Sequence, residues 1–186
     1  RTLFRYLNRI HLERTRKTPY EIACMAEAAR LGAIGHTAAE KAFREGLSEY
    51  EIHQQYCMSI QLIDSELPYG NIVALNEHSA VLHYQEHDQQ LPADVRSFLI
   101  DAGATVHAYA SDITRTYASE AGEFADLITA MDHMQQQLCA AVVDGLDYRD
   151  LHLRAHLDIA GILKDFDVIK TSAEAAVETG LSAVFY

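Results

Sequence analysis

Phe98-Leu99-Ile100 is a sequence for a buried strand, yet the next residue is Asp101. Eleven positions later comes Asp112, within Ala110-Ser111-Asp112-Ile113-Thr114-Arg115. If the two segments form a hairpin turning near Val106 to Ala108, these carboxylates lie directly or diagonally opposite on one face. Their Cβ atoms are then roughly 4.5–8 Å apart. Two carboxylates that close, beside an apolar run, do not both stay ionised unaided. A shared proton, a cation such as Arg96 or Arg115, or a divalent metal would relieve the repulsion. Val106, Ala108 and Ala110 share the face of Asp112, so the charge sits on the less polar side, which favours metal. Carboxylates can also bridge two ions roughly 3.5–4 Å apart, activating water and polarising a carbonyl. Such a centre needs further ligands, normally His or Glu. The plainer alternative makes Asp101 the start of a turn at Ala102-Gly103 and Asp112 an ordinary solvated strand residue.

His83, in Val81-Leu82-His83-Tyr84, is the best polar companion, because strand alternation lets it reach the hairpin face. A lone strand His is more often a satisfied core residue. His152 and His156 are spaced i, i+4 on a helix face, as metal ligands often are. They lack a zincin Glu, and Leu151, Ala155 and Ile159 already explain that helix as packing. Cys24, Cys57 and Cys139 fall in helical segments without paired spacing, which suggests free thiols in a reducing compartment and hence the cytoplasm. None lies at a loop or helix start, so cysteine nucleophilic catalysis is disfavoured. No P-loop, dinucleotide glycine fingerprint or GxSxG elbow is present.

The elements that must position these residues read as helices, then strands, then helices. Thr18-Pro19-Tyr20-Glu21 combines an N-cap, a first-turn Pro and a capping-box Glu. The helix it opens runs to Arg44, with Ile22, Met25, Ala29 and Ala33 on one side, and Gly46 ends it. Ser48-Glu49-Tyr50-Glu51 opens a second helix to about Ile63. Ile72 to Leu75, Ala80 to Tyr84, Ser97 to Ile100 and Val106 to Tyr117 read as strands, with a turn at Asn76 to Ser79. Helices follow over about Glu123 to Val143, Tyr148 to Leu163 and Ser172 to Glu178. The pattern is one α+β unit without repeats or an internal linker.

The 186 residues carry a net charge of −12, which argues against nucleic acid or an anionic membrane as the main partner. No apolar run is long enough to span a membrane. Residues 1–17 are the exception in charge, with six basic groups against one acid. With Phe4, Leu7 and Leu12 they read as a connecting helix whose other face packs elsewhere, or as an amphipathic helix for a membrane or RNA.

Several ordered motifs resemble one family. They are Pro68-Tyr69-Gly70-Asn71-Ile72-Val73-Ala74-Leu75-Asn76-Glu77, Val81-Leu82-His83-Tyr84, Ser97-Phe98-Leu99-Ile100-Asp101-Ala102-Gly103-Ala104 and Ser111-Asp112-Ile113-Thr114-Arg115-Thr116-Tyr117. Together they look like the pita-bread metallopeptidases, and within these like bacterial Xaa-Pro dipeptidases (prolidases) and the related organophosphorus acid anhydrolases. The resemblance implies an α+β pita-bread fold and two divalent metal ions, usually manganese, held by two Asp, one His and two Glu. In that family a bridging hydroxide attacks the peptide carbonyl before Pro.

Carried onto this chain, the resemblance makes Asp101 and Asp112 metal ligands. It makes His83 a substrate-contacting catalytic residue, Tyr69 a pocket-lining substrate residue and Thr114 a support that orients an Asp. It further implies a homodimer. The ligand His, in a PHGIGH-like motif, and both Glu are expected beyond Tyr186. Residues 1–17 then connect from an N-terminal domain, residues 18–186 form the first part of the catalytic domain, and the chain alone is expected to be inactive. A non-catalytic pita-bread binding module and phosphotriester hydrolysis by the same centre are the alternatives. Where relatives often carry Asn-Gly in the hairpin turn, this chain has His107-Ala108, so a differently shaped loop is expected.

Overall fold

The capping signals act as their chemistry requires. Thr18 Oγ1 accepts from the Glu21 amide at 3.3 Å, and the Glu21 carboxylate accepts from the Thr18 amide at 2.7 Å. That reciprocal pair opens α2 (Pro19–Arg44), which follows α1 (Thr2–Arg14). Gly46, at φ 77°, ends α2, and the Leu47 amide returns to the Ala42 carbonyl at 3.1 Å. Ser48 and Glu51 repeat the capping box at the start of α3 (Glu49–Ile60). This helix stops short of Ile63 because Gln61 turns left-handed, with φ 57°. The computed structural model describes residues 2–184. Among them, no helix is long and apolar enough to cross a membrane.

The buried face of α2 differs from the expected one. Cys24, Ala28, Gly32, Gly35, His36, Ala39, Ala42 and Phe43 face inward, whereas Ile22 and Met25 are exposed. Close approach decides the face. A Cβ on Gly35 would lie 2.4 Å from the Tyr56 ring of α3, and one on Gly32 would lie 2.7 Å from Ser111 Oγ. Small residues let the helix approach both neighbours closely, and this outweighs the pull of a few larger apolar side chains.

Strands β1 (Ile72–Leu75), β2 (Ser97–Ala102) and β5 (Ile113–Ala118) form an antiparallel sheet with β2 in the centre. The expected single strand from Val106 to Tyr117 is broken. β3 (Thr105–Val106) and β4 (Tyr109–Ala110) make the hairpin tip, and the chain bends at Ser111-Asp112 before β5. His107 and Ala108 hold φ of 50° and 65°, so the tight two-residue turn forms despite the absence of Gly. At the bend, a Cβ on Gly103 would lie 2.0 Å from the Ser111 carbonyl oxygen, so only Gly lets the strands cross there.

Along β2, Phe98, Ile100 and Ala102 are buried, while Leu99 and Asp101 take the other face. The core joins them to Val73 and Leu75 of β1 and to Phe43, Ile52 and Tyr56 from the helices. Phe43 stacks on Phe98 with ring centroids 5.1 Å apart. Ala80 to Tyr84 is not a strand. The 3₁₀ turn at Asn76–Ala80 runs into a loop in which His83 has φ 56° and Val81 and Leu82 are exposed.

In place of one unit, the chain divides into two compact units, Arg1–Ser119 and Glu120–Tyr186. The second contains α4 (Glu123–Ala141), α5 (Tyr148–Asp165) and α6 (Ala173–Glu178), started by Gly122, Asp147 and Ser172. These helices bury their apolar stripes against one another, around Met134, Ile159, Ala160, Leu163, Ile169 and Ala176. That gives the second unit a core of its own.

Candidate metal centre

Across β2 and β5, Asp101 pairs with Thr114, and Asp112 lies just ahead of β5. The two carboxylates are therefore diagonal neighbours, and Asp101 continues a strand instead of opening a turn. Both reach one phenol. Tyr69 Oη lies 2.7 Å from Asp101 Oδ1 and 2.8 Å from Asp112 Oδ1. Thr114 Oγ1 donates to the other oxygen of Asp101 at 2.8 Å.

A phenol carries one proton, so Tyr69 can donate to only one of these carboxylates at a time. Burial, followed by the two carboxylates, pushes its pKa far above the ordinary value, so the proton stays on the ring oxygen. The basic residues nearby do not serve the pair. Arg96 bonds Glu77 and lies 3.7 Å from Asp94, and Arg115 donates to the Thr114 carbonyl at 2.7 Å. Two converging carboxylates with one shared proton form a donor set that fits a hard divalent cation.

The backbone beside each aspartate is clamped by α2. His36 Nε2 lies 3.1 Å from the Ala102 carbonyl oxygen, so Nε2 carries the proton. Burial lowers the pKa of this imidazole, leaving it neutral with a bare, buried Nδ1. One turn earlier, Gly32 meets Ser111, whose amide donates to the Ala104 carbonyl at 2.9 Å and whose Oγ accepts from the Ala104 amide at 3.0 Å.

His83 is exposed in the loop after the 3₁₀ turn, whereas the groups that hydrogen-bond the aspartates are Tyr69 and Thr114. The residue after it is tied to a side chain that the sequence pattern does not single out. Glu49, 2% exposed, accepts from Tyr84 Oη at 2.8 Å, the Leu75 amide at 2.7 Å and the Asp88 amide at 3.0 Å. His78 Nδ1 lies 2.7 Å from the same carboxylate. Glu49 reads locally as a first-turn acid, and its partners lie 26 to 39 residues away.

A second cluster joins His53, Cys57 and Asp64, whose ligand atoms all lie within 4.8 Å of one another. His53 Nε2 lies 2.9 Å from Asp64 Oδ1, and the thiol sits 3.7 Å and 3.8 Å from these atoms. Burial, then Asp64, pushes the Cys57 thiol up to about 11, so without a metal it stays protonated at neutral pH. The cluster is accounted for as a hydrogen-bonded group. His152 and His156 have ring nitrogens 3.1 Å apart, and His156 Nδ1 lies 3.1 Å from Ser182 Oγ, while Ala155 and Ile159 are buried.

The described fold is that of the pita-bread enzymes. Aminopeptidase P of Escherichia coli, in a zinc-substituted form with product, matches with a TM-score of 0.78 over 89% of this chain and 38% of that one, at 22% identity. Aminopeptidase PepP of Pseudomonas aeruginosa matches with a TM-score of 0.78 over the same shares, at 24% identity. Residues 23–170 match the Metallopeptidase family M24, and the chain belongs to that family. Among curated relatives, an Xaa-Pro dipeptidase of Stenotrophomonas maltophilia is 58% identical over 97% of this chain, and one of Xanthomonas campestris is 55% identical over the same share. The chain spans 41% of the length of each.

Proposed function

We propose that the protein of which this chain forms part hydrolyses Xaa-Pro dipeptides at a dinuclear metal centre, with Asp101 and Asp112 as two of its ligands. The observation that carries this reading is the convergence of both carboxylates on the Tyr69 hydroxyl. Divalent ions bound there, manganese in the family this chain resembles, supply Lewis-acid activation of water and of the peptide carbonyl. The chain's own residues do the positioning. Thr114 holds one oxygen of Asp101, which turns the other toward Asp112. Tyr69 lines the pocket beside the carboxylates. His83 contacts the substrate and stabilises charge developing on the carbonyl oxygen. The enzyme is a cytoplasmic homodimer.

The test is hydrolysis of an Xaa-Pro dipeptide by the manganese-loaded enzyme with Asp101→Asn or Asp112→Asn. Loss of an outer-shell partner costs roughly 10–100-fold in such sites, and loss of a ligand is expected to cost at least that. Unchanged turnover in both variants would sink the metallopeptidase reading and leave a binding module in its place. A phosphotriester run in parallel separates the two hydrolytic specificities.

A further inference from the structure

We infer that Glu49 is a positioning residue for the segment that carries His83; the inference rests on the substrate-contacting role given to His83 above. A carboxylate that is 2% exposed is costly unless its oxygens are satisfied. Here one stretch of chain satisfies them. Oε1 accepts from the Leu75 amide and lies 2.7 Å from His78 Nδ1, and Oε2 accepts from Tyr84 Oη and the Asp88 amide. The Tyr50 amide adds a backbone bond to the Asp88 carbonyl at 3.1 Å.

Between Leu75 and Asp88 the only regular element is the 3₁₀ turn at Asn76–Ala80. The segment's shape is therefore set from α3. His83 is held left-handed at φ 56°, a conformation strained for a non-glycine residue that persists only where the surroundings over-determine it. The over-determination comes from the next residue. Tyr84 is buried, bonds Glu49 and stacks on the His78 ring with centroids 4.6 Å apart. An apolar pair at such a position is often no less stable than a buried charge. What the carboxylate adds is direction, because its two oxygens hold four side-chain or backbone partners, two on each side of His83.

The experiment is a double-mutant cycle on the manganese-loaded enzyme comprising this chain and the remaining length of its relatives. Glu49→Gln keeps the size but replaces an acceptor oxygen with a donor. Alone it is expected to lower kcat/KM roughly 10–100-fold, mostly through kcat, as small misplacements of reacting groups do. His83→Ala should show a comparable loss, and the double variant should be no slower than His83→Ala alone. Full additivity, or wild-type turnover in Glu49→Gln, overturns the proposal. If His83→Ala itself is silent, the role given to His83 has failed and takes the inference with it. In that case, amide exchange over residues 75–88 in Glu49→Gln shows whether the segment was nevertheless held as described. Should Glu49→Gln not fold, Tyr84→Phe removes a single donor and must show the same coupling to His83 at smaller size.

Discussion

Thr114 and Asp101 face each other across the β2–β5 ladder, and the Thr114 hydroxyl donates to Asp101 Oδ2 at 2.8 Å. Thr114→Val keeps the β-branched shape and removes the donor, so the carboxylate loses its orienting bond without a change in strand propensity. Manganese affinity of the enzyme is expected to fall roughly 10–100-fold, with little change in unfolding midpoint because Thr114 is exposed. An unchanged manganese titration would remove Thr114 from the site.

Gly103→Ala should be among the most damaging small substitutions in the chain. Its Cβ would sit 2.0 Å from the Ser111 backbone oxygen, which no rotamer change can relieve. A loss of roughly 3 kcal/mol or more in urea unfolding is expected, or failure to fold. A loss below about 1 kcal/mol would mean that the strands can separate at this crossing.

The hairpin turn invites the opposite experiment. His107 and Ala108 both hold positive φ, which Asn and Gly accept at lower cost. His107→Asn with Ala108→Gly is expected to raise stability by about 1 kcal/mol, read as a higher urea midpoint at unchanged slope. A lower midpoint would show that the Tyr20–His107 ring contact outweighs the backbone strain.

His36 predicts a loss of stability in mild acid. Burial holds its folded pKa below the ordinary value, so below about pH 6.5 the unfolded chain binds a proton that the native chain refuses. Stability then declines as pH falls from that point toward the lowered folded value, above the range where carboxylates such as Glu21 and Glu51 titrate. His87, also lowered by burial, adds to the decline. His36→Gln can still donate to the Ala102 carbonyl and should flatten part of the decline that begins below about pH 6.5. A slope identical to wild type would show that this imidazole does not titrate as described.

Local chemistry was legible in the sequence wherever it was written in adjacent residues. Both capping boxes, the Gly46 stop and the Asp101–Asp112 proximity follow from short spacings that the structure reproduces. The failures share a different cause. Val81-Leu82 looks like strand, but Glu49 recruits the segment from 26 to 39 residues away and leaves those apolar side chains outside. The inward face of α2 departs from its apolar stripe because Gly32 and Gly35 act through close approach, and a missing side chain adds nothing to such a stripe. The break at Ser111-Asp112 was hidden for the same reason: the strands cross at Gly103, whose significance appears only when Ser111 is beside it. The divide between the two units depends on which helices choose one another, and apolar spacing within each helix does not carry that choice.

The reach of Glu49 has a consequence for the order of events during synthesis. Its helix leaves the ribosome before residues 75–88 do, so the acceptor waits, already presented, for donors that arrive later. Contacts separated by that much chain form slowly relative to helices and tight turns. The His83 segment should therefore be among the last parts of the first unit to acquire native amide protection, and its protection reports that α3, β1 and the loop have all reached their final places.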